Sequence, residues 1–292
     1  MTIIAILIAF ALCYFIRDLG RLHRFEWMKP VTVWCNERCG SLPGWTGITG
    51  FLFYFGLPLL AIGVLQQLLV GLLGDLGGFL LSIAVLIYTF GPHDLDTDID
   101  AIIHASDDGE QARAMQDLLG HCPPDDESCQ ALAVRAVFRE ALQRWFGTIF
   151  WFAVLGVFGA VLYRIADRIT MGDLELPEEQ LGLFRRLRAV LDWPVAQLMT
   201  LSLAIATDFD SVTSAWKKYH GERGHGLFEG NNEFLYLCAE QVVLTGHAAR
   251  DGYADQLDGP MRRLKQAMDL VWRMLGVWLT VLALLLLVDV VA

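Results

Sequence analysis

The densest set of groups able to do chemistry lies between Pro92 and His104, in the run PHDLDTDIDAIIH. On a helix, His93, Asp96, Asp100 and His104 fall at i, i+3, i+7 and i+11 and share one face. Imidazole and carboxylate at that spacing are ligand types for a divalent cation, and a carboxylate there is placed for acid–base work. The same residues have a plainer reading. Acidic side chains favour a helix N-terminus through its dipole. Asp alternating with apolar residues also makes a solvated helix face. The four residues are therefore a candidate ligand or metal face, and no metal is assigned to them.

Other groups are more scattered. The segment WKKYHGERGHG, residues 216–226, is basic and contains glycine, which suits a phosphate or a lipid headgroup. It lacks the GxxxxGK[ST] pattern of a phosphate-binding loop and reads as a flexible polar loop. Asp192 opens an apolar run. A carboxylate at membrane depth is a functional candidate, and a helix cap beside Trp193-Pro194 explains the same residue structurally. Arg164 ends another apolar run and needs an acid or a headgroup as partner. Cys35 and Cys39, with Cys122 and Cys129, supply four thiols for zinc only if their two loops meet, and neither pair has the common CxxC spacing. On a cytoplasmic face those thiols are free. No Ser-His-Asp or Cys-His hydrolase pattern is present.

The elements that position these residues are apolar helices. The 292 residues are 55% hydrophobic and 19% charged, and the mean hydropathy is +0.45. Soluble domains are less apolar and carry about a quarter charged residues. An integral membrane protein follows, with the lipid bilayer as its first partner. The net charge of -11 and the lack of a basic cluster argue against nucleic acid. No internal repeat and no low-complexity tract stands out.

The fold expected is all-α and polytopic, one membrane domain over 1–292 with five to six apolar helices and helical cytoplasmic loops. The apolar segments are 1–16, 48–73, 76–90, 146–164, 189–206 and 271–292, of which the first and fifth are marginal as spans. Between them lie polar segments 17–47, 91–145 and 207–269. The most distinctive apolar segment is FGTIFWFAVLGVFGAVLYR, uncharged until its last residue and flanked by aromatic residues suited to headgroup depth. Ala153, Gly156 and Ala160, with Gly159, give it a small helix-packing face of the kind that lets backbones approach in lipid. The three polar segments hold 16 of the 22 Lys and Arg. That bias puts them inside and the N-terminus outside. Arg185, Arg186 and Arg188 then lie on the opposite side, where their long stems reach headgroups.

Several stretches occur together in a recognisable order: DDGEQARAMQDLLG, FWFAVLGVFGAVLYR, LDWPVAQLMTLSLAIATDFDSV and a final span with basic flanks. That order resembles the AmpE family, within the CobD/CbiB-like membrane proteins. The resemblance implies a multi-pass protein of a bacterial inner membrane. It also implies a sensor or signalling modulator in β-lactamase induction and cell-wall recycling, with a partner from that process or a small-molecule ligand not identified. No cofactor is named by it.

The synthase branch of the same superfamily joins an aminopropanol unit to a corrinoid carboxylate. That branch shows an E-N-x-x-D-like run before the central span, where this chain reads Arg139, Glu140, Ala141, Leu142, Gln143. Its N-T-L-D-S-like run after the Tyr-Arg pair is replaced here by IADRITMGD. Asp167 and Asp173 are poor substitutes for it. A modulator, non-catalytic or cryptically catalytic, is therefore the leading expectation. An amide-forming synthase using His93, Asp96, Asp100 and His104 is the alternative, and a small-molecule or lipid transporter is the third class.

Overall fold

The computed structural model describes residues 2–15, 28–40, 44–90, 95–105, 107–120, 126–172, 174, 176–223, 232–244 and 259–291. Among them every regular element is a helix. In chain order these are α1 (Thr2–Phe15), α2 (Met28–Cys39), α3 (Ile48–Leu73), α4 (Asp75–Thr89), α5 (Leu95–Ile103), α6 (Asp108–Leu119) and α7 (Asp126–Ala141). A π-helical turn, Leu142–Phe146, leads into α8 (Gly147–Leu155), followed by α9 (Val157–Thr170), α10 (Glu178–Ala206), α11 (Phe209–Arg223), α12 (Glu233–Leu244) and α13 (Gly259–Val291).

The protein is an all-α membrane protein. Among the described residues, three helical stretches are long and apolar enough to cross a bilayer: Ile48–Leu73, Glu178–Ala206 and Met261–Leu285. Ile3–Cys13 and Asp75–Thr89 are shorter apolar stretches. The run 189–206 is not broken at its start. Pro194 lies inside the continuous helix α10, as neighbouring groups allow in an apolar setting.

The segment 146–164 departs most from its expected form, because no single helix covers it. α8 stops at Leu155, Gly156 adopts φ 63° and ψ -146°, and α9 turns back along α8. That backbone region is open essentially to glycine alone. Gly159 then passes so close to α8 that a Cβ on it would lie 2.0 Å from the Trp151 carbonyl oxygen. Ala153, Gly156 and Ala160 consequently do not share a packing face. Ala153 is exposed, Gly156 occupies the turn, and Gly159 and Ala160 are buried.

Helices α3 and α4 are joined in the same way. Gly74 has φ 61° and ψ -148°, and a Cβ on Gly77 would lie 2.2 Å from the Leu69 carbonyl oxygen. Both turns read G-x-x-G, Gly74 to Gly77 and Gly156 to Gly159. The chain thus contains a structural repeat that shares little beyond those glycines.

By contacts the chain divides into two units, Met1–Pro92 with Gln143–Asp192, and His93–Leu142 with Trp193–Ala292. In the first, α1 packs on α4, and α3 and α4 both pack on α9. Phe51, Tyr54 and Phe55 of α3 surround Phe184 of α10 with ring centroids 4.9–6.4 Å apart. In the second, α13 and α12 pack on α7, α11 packs on α12, and α5 packs on α13 and α6. Arg135 of α7 bridges Glu233 and Glu240 of α12. The Cys238 thiol is buried among these helices, and burial pushes its pKa up to about 12.

The two turns give a direct test. Gly156→Ala and Gly74→Ala each force a β-carbon into a conformation that costs of order 1–3 kcal/mol. Both variants should lower the melting temperature in detergent and the membrane yield. Gly182→Ala, a helical site with open space at its Cβ position, should leave both unchanged.

Candidate functional site

Charges inside an apolar body are expensive unless paired, so where they collect is informative. In the first unit they collect on α9 and the N-terminal half of α10. Arg164 is 2% exposed, Asp167 0% and Asp192 5%, with Tyr163 fully buried beside them. The second half of α9 is buried on all sides, so Tyr163, Arg164 and Asp167 are enclosed together with Ile165, Ala166 and Ile169.

The contacts form one chain of partners. Arg164 donates from Nη1 to Asp167 Oδ2 at 2.9 Å, one turn along α9. Its Nε donates to the Thr89 carbonyl oxygen at 2.6 Å, at the end of α4. Asp167 Oδ1 faces Arg188 Nη2 of α10 at 3.0 Å, a charge contact without hydrogen-bond alignment. Arg188 also reaches Asp192 Oδ2 at 3.5 Å and donates from Nη1 to the Thr170 hydroxyl at 2.6 Å. Tyr163 donates its hydroxyl proton to Asp192 Oδ1 at 2.7 Å. Two guanidinium groups and two carboxylates leave this set neutral. One donor of Arg164 is left over: Nη2 is buried and has no hydrogen-bond partner among the described residues.

Backbone packing holds the network in register. Gly147 of α8 lies against Tyr163, and a Cβ there would come within 2.1 Å of the ring. Trp151 of α8 donates from Nε1 to the Leu191 carbonyl oxygen at 3.1 Å, next to Asp192. Helices α4, α8, α9 and α10 are therefore all tied to the same few polar groups.

Of the residues singled out from the sequence, Arg164 and Asp192 both belong to this network. Arg164 has an acid as partner, Asp167. Asp192 lies inside α10 rather than at its start, so it is not a helix cap. Arg188 turns inward at 15% side-chain exposure instead of reaching a headgroup. Asp167, set aside at first, is the most central member. Tyr163, expected among the aromatic residues at headgroup depth, is instead fully buried against Asp192; Thr170 and Gly147 drew no attention in the sequence. The signals available were the i,i+3 pair Arg164–Asp167 and the i,i+4 pair Arg188–Asp192.

The Asp/His run is arranged differently. Leu95, Ile99 and Ile102 of α5 face inward. Asp96 accepts a long hydrogen bond from Trp272 Nε1 at 3.4 Å. Asp100 and His104 are exposed, with His104 Nδ1 3.0 Å from the Asp100 carbonyl oxygen. His93 lies outside the described residues. Among those described, no group of three His, Cys, Asp or Glu could hold a metal ion.

Cys129 is disulfide-bonded, and Cys35 and Cys39 are free. Four free thiols for zinc are thus not present. The basic stretch expected as a loop is helical as far as Arg223. There His220 stacks on Trp216 at 4.2 Å between ring centroids.

Comparison with known proteins gives one informative similarity. The chain is 27% identical over 172 residues to the cobalamin biosynthesis protein CobD of Stutzerimonas stutzeri (strain A1501), covering 54% of this chain. The match spans 55% of that relative's length. This is a distant likeness to CobD-like membrane proteins. No protein-family model matches the chain, and no solved structure matches it.

Removing one partner of a buried ion pair strands the other and costs about 3–5 kcal/mol. Asp167→Ala should therefore destabilise the protein by about that amount in detergent unfolding. Glu178→Ala breaks a pair with Arg185 whose side chains are 79% and 57% exposed, and should leave stability unchanged. Gly147→Ala should also destabilise, through the displaced Tyr163 ring.

Proposed function

We propose that this is a multi-pass inner-membrane protein of the CobD/CbiB-like kind that binds the anionic group of a small molecule at the α9–α10 network. Binding there sets the packing of α9 against α4 and α10. The observation that carries the reading is the buried Arg164, with a donor left over in a network that ties those helices together. A carboxylate or phosphate oxygen is the acceptor that would complete its hydrogen bonding. A ligand that adds an acceptor here shifts the balance between α9–α10 and α9–α4 contacts. A ligand with different affinity for two packings moves the population between them.

In this reading the protein is a modulator rather than a synthase. The departures at Arg139–Gln143 and at IADRITMGD support that choice. The AmpE resemblance adds the output, which is β-lactamase induction coupled to cell-wall recycling. The second reading is an amide-forming synthase of cobalamin biosynthesis. It is supported by the likeness to CobD and by the same network, with Asp167 and Asp192 as carboxylates beside the substrate.

Two genetic backgrounds separate the readings. In a corrinoid-synthase deletion the chain should fail to restore corrinoid-dependent growth. Restored growth would establish the synthase reading instead. In a strain lacking this gene, the wild-type chain should restore the β-lactamase induction response to a sublethal β-lactam. Asp167→Asn, which keeps the shape but strands the Arg164 charge, should shift that response when compared with the wild type at matched membrane levels. An induction curve that does not depend on the gene would end the modulator reading.

A further inference from the structure

The two G-x-x-G hairpins of the first unit share their turn geometry. In each, the first glycine donates its N–H to the carbonyl four residues back at 2.8 Å, to Val70 and to Phe152. In each, the second glycine donates to the carbonyl of the first, at 3.0 Å and 3.1 Å. The glycine that passes its partner helix does so against the residue eight positions earlier, Leu69 for Gly77 and Trp151 for Gly159. What differs is the arms and the tips.

Helix α3 has 26 residues, about 39 Å at helical rise, which exceeds the roughly 30 Å apolar core of a bilayer. Its hairpin tip carries a charge, Asp75, between Gly74 and Gly77. In the α8–α9 tip the matching position is Val157. Around that tip Val154 and Leu155 are 56% and 48% exposed, and Phe158 is 39% exposed. The first charges met on leaving it are Arg164 on one arm and Arg144 on the other. They lie eight and twelve residues from Gly156, about 12 Å and 18 Å along the helices. Both distances are near half of the apolar core, and neither arm crosses it.

A second observation fixes the depth independently. Phe158 of the tip meets Gly63 of α3, where a Cβ would lie 3.5 Å from the ring. Gly63 is eleven residues before Gly74, so the α8–α9 tip stops about 16 Å short of the α3–α4 tip. Beyond it, along α3, an open groove of about 820 Å³ is lined by Gly63, Val64, Gln66, Gln67, Leu68 and Phe158, among others. The described residues leave this space unfilled.

Resting on the membrane reading above, we infer that α8–α9 is a re-entrant hairpin whose tip, Leu155 to Gly159, ends inside the hydrocarbon layer against acyl chains. Both of its ends emerge on one face of the membrane. The α3–α4 hairpin, with Asp75 at its tip, reaches the opposite headgroup layer. Non-helical backbone at membrane depth is tolerated where protein buries it; here Gly159 is buried against Trp151 of α8, and the Gly156, Gly159 and Ala160 N–H groups are bonded within the turn.

The test uses the full-length chain in sealed vesicles of phosphatidylethanolamine and phosphatidylglycerol. Gln143→Cys and Met171→Cys are labelled with a membrane-impermeant maleimide before and after permeabilisation, and peptide mass spectrometry reads each site. Both should label from the same side, and labelling from opposite sides would overturn the hairpin. A nitroxide on Leu155→Cys should collide with oxygen far more often than with an aqueous nickel chelate. The same label on Leu76→Cys should show the reverse. Nickel contact at position 155 equal to that at 76 would also overturn the inference. Extraction of the wild-type chain from membranes by alkaline carbonate is a separate result, and it would defeat the membrane reading itself.

Discussion

The requirement that buried charges be matched governs the first unit. Arg164 and Asp167 are almost wholly removed from solvent on a helix whose other inward residues are apolar. An unpaired charge in that place would shift to its neutral form or unfold the helix around it. The pair alone is not enough, because each ion has more hydrogen-bonding capacity than the other can use. Part of the remainder is met by the Thr89 carbonyl on α4 and by the charge of Arg188 on α10, and Arg164 Nη2 is left over. Three helices are held in one arrangement by the polar demands of two side chains. Such a pair is weak evidence for net stability but a strong constraint on register.

The glycine turns serve the same constraint from the other side. Tyr163 can reach Asp192 only because position 147 has no side chain. Gly159 lets α9 lie against α8, and Gly156 lets the chain reverse within nine residues of Gly147. A continuous helix from 146 to 164 would separate the two ends by about 27 Å. Residue 147 could not then lie beside residue 163. The hairpin is thus a precondition of the network.

Hydropathy carried most of the fold. The apolar segments at 48–73 and 76–90 correspond closely to α3 and α4, and the final span is the end of α13. What hydropathy could not carry was direction. Eighteen uncharged residues read the same as a span or as two half-length arms, because lipid solvates both. Gly156 was visible as a small residue, and small residues are tolerated inside membrane helices. Its positive φ is a property of the fold. Partner identity was equally hidden. Arg164–Asp167 and Arg188–Asp192 are local and legible as spacings, but the contact between the two pairs spans more than twenty residues. Asp192 beside Trp193-Pro194 looked like a helix start, yet α10 begins fourteen residues earlier at Glu178.

The Asp/His run shows the opposite imbalance, a strong pattern in sequence with modest geometry. Its apolar members, Leu95, Ile99 and Ile102, repeat at i, i+4 and i+7, and this is the spacing that docks α5 on its neighbours. Once they face inward, Asp100 turns outward by helical periodicity, while Asp96 is left half-buried beside Trp272. Exposed Asp100 and His104 keep their hydration and need no counter-ion. Asp192 and Asp167 have no such recourse. Placement out of water is therefore what separates a carboxylate that demands partners from one that merely solubilises a helix. By that criterion α9 and α10, rather than residues 92–104, hold the carboxylates that demand partners.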